Sequence, residues 1–333
     1  MFGFAVWQRI TYTLKYTKFQ LIDFIKYELI DFKNNRLEEN NLLYFMVRNL
    51  TEDGECIPVM ENGKIATKRD GGIKYYTVYK QAYYRGLDFR IYAPTETHPD
   101  GRVTIEGSLH KYWNNGEHNF NDFGIIQLTE VLNDLHIKFG IRPENCIIKQ
   151  LEIGVNITPP INTDTILNKC LMHKTTRLKS IFTKDEGNYI QTKNQRHYNK
   201  FYNKKKHYCN KGYYIENEIM RIEKKYSRMK ELNQRGIYTL NDLLNYGLIN
   251  FKDDLIKMWN DVLYCDLDAL KGTKNEYKYT SLVFWEELKY DNFKYHRNKL
   301  NALINKNPNN IKKQISNLID AKCKTLNPTQ INS

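Results

Sequence analysis

The stretch that most constrains this chain is CIIKQLEIGVNI, Cys146–Ile157, closed by two prolines. Its second half alternates with period two, so an extended backbone sends Ile153, Val155 and Ile157 to one side and Glu152, Gly154 and Asn156 to the other. A strand with one apolar face must find neighbouring strands and a covering layer. Residues 213–227, YYIENEIMRIEKKYS, have the same character, with Arg221, Glu223 and Lys225 alternating against Met220 and Ile222. Between them lies QRHYNKFYNKKK, residues 195–206. Read as a strand, it puts Tyr198, Lys200, Tyr202 and Lys204 on one face and Phe201 on the other. Read as a helix, it still brings Tyr198 and Tyr202 together at i,i+4. Either way phenols stand beside ammonium groups.

The remaining segments surround these three. Residues 18–33, KFQLIDFIKYELIDFK, space their apolar side chains at three- and four-residue steps and predict an amphipathic helix. Residues 41–94 carry short β-type runs broken by Gly-containing turns, the pattern of an antiparallel meander. RVTIEGSLH, residues 102–110, predicts a strand followed by the polar loop KYWNNGEHN. Asp122 is the expected cap of a helix carrying Val131, Leu132, Leu135 and Phe139, stopped by Gly140 and Pro143. A short helix is expected from about Thr163 to His173. Beyond the third strand the sequence is helical, with a capped start at Leu240, a break at Gly247 and amphipathic runs up to a tail, NPTQINS, that looks frayed. These elements predict an α+β fold: mostly antiparallel sheet with helices packed on one face, followed by a helical C-terminal lobe. The expected division is residues 1–235, with a core near 100–227, and residues 236–333. No internal repeat is evident.

Composition bears on partners. Among 333 residues the formal net charge is +13, and 25 tyrosines make up most of the aromatic content. Lys and Arg neutralise phosphate and aromatic faces stack on unpaired bases, so nucleic acid is the expected partner. Biased base composition in the coding gene is the bland alternative for the Lys and Asn richness. Six cysteines, Cys56, Cys146, Cys170, Cys209, Cys265 and Cys323, are scattered singly without zinc-ligand spacing, as in a reduced interior. No apolar run reaches the roughly 20 residues that span a bilayer. The opening MFGFAVWQRITYTLKY lacks the form of a signal peptide. A soluble, cytoplasmic protein is expected.

A phenol, with a pKa near 10, is a poor nucleophile at neutral pH unless a cation or a polarised target assists it. Phosphoryl transfer needs that nucleophile in line and charge neutralised on the non-bridging oxygens. Hard cations such as Mg²⁺ or Mn²⁺ prefer carboxylate and amide oxygens. Glu152, Asn156 and Glu223 are candidates to supply three such oxygens, and Lys204 and Arg221 are candidates to hold phosphate.

Taken in order, IEGSLHKYWNNGEHNFNDF, LEIGVNI, QRHYNKFYNKKKHY, ENEIMRIEKKY and TLNDLL resemble the replication initiators of filamentous phages and rolling-circle plasmids. The resemblance covers about residues 100–245. That family's pattern is roughly an I-x-G-S-L-x-K strand, an acidic R-x-D-x-x-x-D-type strand, a Y-x-K strand and an L-R-x-E strand. The resemblance implies a metal-dependent, site-specific endonuclease and strand transferase. Such an enzyme binds origin DNA, single-stranded or extruded as a hairpin, and nicks one strand through tyrosine, leaving a 5′-phosphotyrosyl link and a primer 3′-OH. A host helicase and polymerase are the further implied partners.

Within that pattern the Y-x-K unit falls on Tyr202 and Lys204, which makes Tyr202 the implied nucleophile. Tyr198 is then a second active-site tyrosine or a stacking residue. Glu152 stands where the family usually has Asp, and Asn156 where it has a carboxylate, so His110 or His118 is a candidate to complete the metal site. The His-hydrophobe-His signature of related endonucleases is absent. Two other readings stay open, a non-catalytic DNA-binding protein in which the carboxylates partner Arg221, and an RNA-binding protein on a similar scaffold. The nicking reading requires Glu152, Tyr202 and Glu223 to share one side of one sheet.

Overall fold

In the computed structural model, which describes residues 22–30, 35–183 and 187–325, ten strands form one sheet. In chain order they are β1 (Ile22–Leu29), β2 (Met46–Arg48), β3 (Tyr79–Tyr84), β4 (Leu87–Tyr92), β5 (Arg102–Gly107), β6 (Cys146–Ile157), β7 (Lys179–Thr183), β8 (Gly187–Lys193), β9 (His197–Asn203) and β10 (Met220–Tyr226). Across the sheet the order is β7-β8-β9-β10-β6-β1-β5-β4-β3-β2. Every neighbouring pair is antiparallel. The fold is α+β, with helices including a C-terminal helical region, and the long alternating segment Cys146–Ile157 lies near its centre.

Helices cover the apolar face because each brings a hydrophobic stripe to it. Helix α1 (Ile125–Phe139) buries Leu128, Val131, Leu132, Leu135 and Phe139, and Phe139 meets Phe89 of β4 with ring centres 5.2 Å apart. Helices α2 (Thr163–Asn168) and α3 (Lys204–Cys209) flank β9 and β10. Over the other half, Trp259 of α4 (Lys252–Asn260) packs on Phe201 with ring centres 5.9 Å apart. The same indole donates to the carbonyl of Lys312 in α5 (Ile311–Thr325) at 2.9 Å, which ties the last helix into the main core. A second, smaller core gathers Met172, Leu263, Trp285, Phe293 and Leu300 beside a short three-stranded sheet of Cys170–His173, Thr176–Arg177 and Val262–Tyr264.

Several local expectations are corrected. Within residues 18–33 the described part, Ile22–Leu29, is a strand rather than a helix; residues 18–21 and 31–33 lie outside the described residues. Its burial alternates, with Ile25, Tyr27 and Leu29 inward, and it pairs with both β5 and β6. A free slot between two strands outweighs a spacing that suits either period. A register shift between Ile22 and Ile25 blurs the alternation in the sequence.

The expected strand 102–110 ends at Gly107, because Ser108 caps a helix, Leu109–Trp113, by accepting from the Lys111 amide at 3.1 Å. Asp122 is not the cap of α1. It pairs with Lys322 at 3.1 Å, and the helix starts at Gly124, whose amide donates to Gln127 at 2.8 Å. Gly140, at φ 69°, ends α1 as expected. The helix expected from Thr163 to His173 stops at Asn168, and Cys170–His173 is a strand. The strand within residues 213–227 begins only at Met220, and Val262–Tyr264 is a strand inside the region expected to be helical. The opening sixteen residues and the tail NPTQINS lie outside the described residues.

Candidate active site

The register of four strands builds the site. One row across the sheet is Asn156, Arg221, Tyr202 and Tyr189; the next is Gly154, Glu223, Lys200 and Gln191; the third is Glu152, Lys225, Tyr198 and Lys193. Side chains directly opposite one another point to the same face, so all of these share the face away from Phe201 and Ile222. Glu152, Tyr202 and Glu223 therefore stand on one side of one sheet.

Arg221 lies at the centre and is fully buried. Its Nε donates to Glu223 Oε2 at 3.2 Å and its Nη1 to Asn156 Oδ1 at 3.4 Å. Gly154 makes the room: a Cβ there would fall 2.4 Å from the Ile222 carbonyl oxygen and 3.0 Å from the Arg221 guanidinium carbon. Tyr202 donates its phenol to the same Glu223 Oε2 at 3.5 Å. Asn156 in turn donates to the carbonyl of Phe120 at 3.2 Å, fastening the loop after the Leu109–Trp113 helix onto the sheet.

Glu152 is hydrogen-bonded to Glu223 and paired with Lys225 at 2.8 Å. Burial, followed by the charge of Glu223, holds its carboxyl well above the usual carboxylate range, although Lys225 draws it down. Two acids share this pocket, each with one cationic partner, Lys225 on Glu152 and Arg221 on Glu223. The pair thus fits a hard cation through two carboxylate oxygens. The amide oxygen of Asn156 faces Arg221 instead. Among the described residues, no three His, Cys, Asp or Glu side chains gather as a metal centre.

The cations distribute differently from a simple strand face. Lys200 lies between two rings, its Nζ 4.3 Å from the Tyr189 centroid and 5.4 Å from that of Tyr202. Strand β9 ends at Asn203, so Lys204 is not the next residue along that face but the first residue of α3, fully buried. Burial keeps the His118 imidazole below its ordinary pKa, against the charge of Glu117 and with that of Lys204. Lys205 and Lys206 turn away, Lys205 to the Glu216 carbonyl at 2.8 Å and Lys206 to Asp164 at 3.1 Å.

Tyr198, in the third row, has Lys193 Nζ 5.5 Å from its ring centre. Of the two candidate histidines, His118 stacks on Phe120 at 4.1 Å near Lys204, whereas buried His110 is held by Asn121 at 2.6 Å and stacks on Phe123 at 5.0 Å.

Three contributors were not foreseen in the sequence. Tyr189 completes the Tyr202 row; His207 meets the Tyr202 ring at 6.3 Å; and Tyr208 clamps Asn119 of the overlying loop through its phenol. The isolated Gly154 in an otherwise side-chain-rich strand was the one available signal of a close approach.

No helix among the described residues is long and apolar enough to cross a membrane. No protein-family model matches the sequence, and no curated protein matches it. Among solved structures, the chain is similar to the rolling circle replication initiator protein from Geobacillus stearothermophilus, at 12% identity and a TM-score of 0.28, over 63% of this chain and 74% of that one. A likeness that slight carries no functional conclusion, which rests on the site's own residues.

Proposed function

We propose that this chain is a rolling-circle replication initiator that nicks origin DNA with Tyr202 as nucleophile. The observation that carries the reading is the Tyr202 phenol directed at Glu223 Oε2, an oxygen that the buried Arg221 also holds. In the proposed step the phenolic oxygen bonds to the scissile phosphorus and its proton passes to Glu223. The bond from phosphorus to the 3′-oxygen breaks, and that oxygen takes a proton from solvent to leave as a free 3′-OH, with the 5′-phosphate on the tyrosine. Arg221, buried on the same face, is a positioning residue for Glu223 and Asn156. Lys200 supplies positive charge at the ring.

Glu152 and Glu223 are the residues that would hold Mg²⁺ or Mn²⁺. Such an ion, when bound, neutralises charge on the non-bridging phosphate oxygens. Origin DNA is the proposed partner, with a host helicase and polymerase acting on the nicked product.

A binding-only reading has one observation in its favour, since Glu152 and Glu223 already have cationic partners in Lys225 and Arg221. A denaturing gel separates the two readings. Labelled DNA from the replicon's own origin is incubated with protein and Mg²⁺ or Mn²⁺, and a band carrying protein and DNA together is expected. Its absence from wild type under both metals favours binding without chemistry.

A further inference from the structure

The C-terminal lobe presents lysines that no acidic side chain answers. Residues 271–306 hold eight Lys and Arg side chains against four Asp and Glu. Among the described residues, the ion pairs of this stretch are Arg297 with Asp261 at 3.1 Å and Glu286 with Arg177 at 3.8 Å. All seven of its lysines are exposed, and none joins those pairs. The helix Tyr290–Lys306 buries Phe293, Leu300 and Ile304 in the smaller core. Its opposite face is exposed, and there Tyr295, Lys299, Ala302 and Lys306 follow at i, i+4, i+7 and i+11, a stripe about 16 Å long.

Lys278, on the neighbouring helix Glu276–Thr280, extends this patch. Its Nζ lies 4.7 Å from the Phe284 ring centre, and Lys299 Nζ lies 5.7 Å from that of Tyr295. Both rings meet His296 at 5.1 Å, so the two ammonium groups flank one imidazole, whose Nδ1 is held by the Tyr279 hydroxyl at 3.1 Å. Burial, and then the charges of Lys278 and Lys299, lower that imidazole below its ordinary pKa. Like charges gathered without a counter-charge repel one another, which folding does not require and an incoming anion relieves. The Phe284 and Tyr295 rings already carry ammonium groups, so the patch offers positive charge rather than open rings for unpaired bases. We infer that this face, with Lys278, Lys299 and Lys306 as phosphate contacts, is a docking surface for duplex DNA. That the duplex is the one flanking the nick rests on the function proposed above; the surface itself is tested without nicking.

A fluorescein-labelled duplex of about 20 base pairs is titrated by anisotropy against Tyr202→Phe protein, without metal, from about 50 to 200 mM salt. Each phosphate contact contributes about one unit to the slope of log affinity against log salt. Combining Lys278→Gln, Lys299→Gln and Lys306→Gln, all at exposed positions, is therefore expected to flatten the slope by about three units. The control combines Lys64→Gln, Lys68→Gln and Arg69→Gln, which removes equal charge from exposed residues far along the chain and is expected to leave the slope unchanged. Lys→Arg changes at the three lobe positions keep the charge and are expected to keep the slope, which separates lost contacts from a damaged lobe. Equal slopes for the triple Gln variant and its parent would overturn the inference. So would an equal flattening by the control, or a flattening on single-stranded dT20 that is absent from the duplex. An adduct missing from wild type with the lobe effect intact would remove the nicking reading and keep the docking surface.

Discussion

Replacing Gly154 with Ala tests the geometry on which the site depends. The added Cβ would sit 2.4 Å from the Ile222 carbonyl oxygen, against an ordinary contact of 3.4 Å or more, so β6 and β10 must part by about 1 Å. The obstructing atom is backbone and has no rotamer to escape into. Overpacking of this kind costs about 1–3 kcal/mol, from which the conformational gain of Ala over Gly in a strand returns roughly 0.5–1. The Cβ also meets the Arg221 guanidinium at 3.0 Å, so the bonds to Glu223 and Asn156 lengthen as well. A net loss of about 0–2.5 kcal/mol is expected in urea denaturation, with adduct formation reduced at least about tenfold as the Tyr202–Glu223 alignment is disturbed. Gly72→Ala is the control. Its nearest neighbour is the movable Asp70 side chain at 3.3 Å, and a change within about 0.5 kcal/mol is expected. A Gly154→Ala protein as stable as wild type and forming adduct at the same rate would refute the argument.

Three further outcomes follow from the arrangement. Tyr202→Phe should abolish the covalent adduct and Tyr198→Phe only slow it; a full adduct in Tyr202→Phe that vanishes in Tyr198→Phe would exchange their roles. Glu223→Ala should end nicking at every Mn²⁺ concentration while salt-dependent DNA affinity, set by Lys and Arg, changes little; nicking at the wild-type rate would remove Glu223 from the chemistry. Buried His173, packed against Asn199, has its imidazole pushed down from 6.5 to about 4, chiefly by burial. The folded state then binds fewer protons than the unfolded one between those values, so this contribution is fully present above about pH 6.5 and is lost as pH falls towards 4. It amounts to about 3 kcal/mol, which His173→Gln should remove, and an unchanged slope of stability against pH over that range would refute it.

The sheet around Glu152 was legible because its strands alternate visibly. Residues Cys146–Ile157 were readable to their ends, and the parities of Glu152, Tyr202 and Glu223 followed from period two alone. The strand Ile22–Leu29 was not legible, since residues with β-branched and aromatic side chains at mixed spacing satisfy both periods and only the slot between β5 and β6 decides. Lys204 was misread for a related reason. Strand parity predicts its face only while the strand continues, and the side chain of Asn203, accepting from the Lys206 amide at 2.9 Å, turns the chain into α3 one residue too soon. Contacts made by the loop at Asn119 and Phe120 join parts of the chain far apart in sequence. No local pattern announces them.

The two faces of this sheet obey different physics, and the contrast bears on function. On one, Phe201, Ile222, Val155 and Ile153 are buried against helices, and burial of apolar area accounts for their identity. On the other, Arg221, Glu223 and Asn156 are buried just as deeply, where each charge removed from water costs several kcal/mol before its partner offsets it. Apolar side chains of equal volume would serve stability at least as well in such a place. Stability alone therefore leaves the charged row unexplained. A carboxylate shared by a phenol and a fixed guanidinium, with a second carboxyl, Glu152, held above its ordinary range by burial and by that neighbour, is instead an environment suited to proton transfer. The same burial that makes the row costly also excludes competing water from the Tyr202 phenol, which is only 8% exposed. In the proposed reaction the phosphate approaches past Lys200, which spans the Tyr189 and Tyr202 rings.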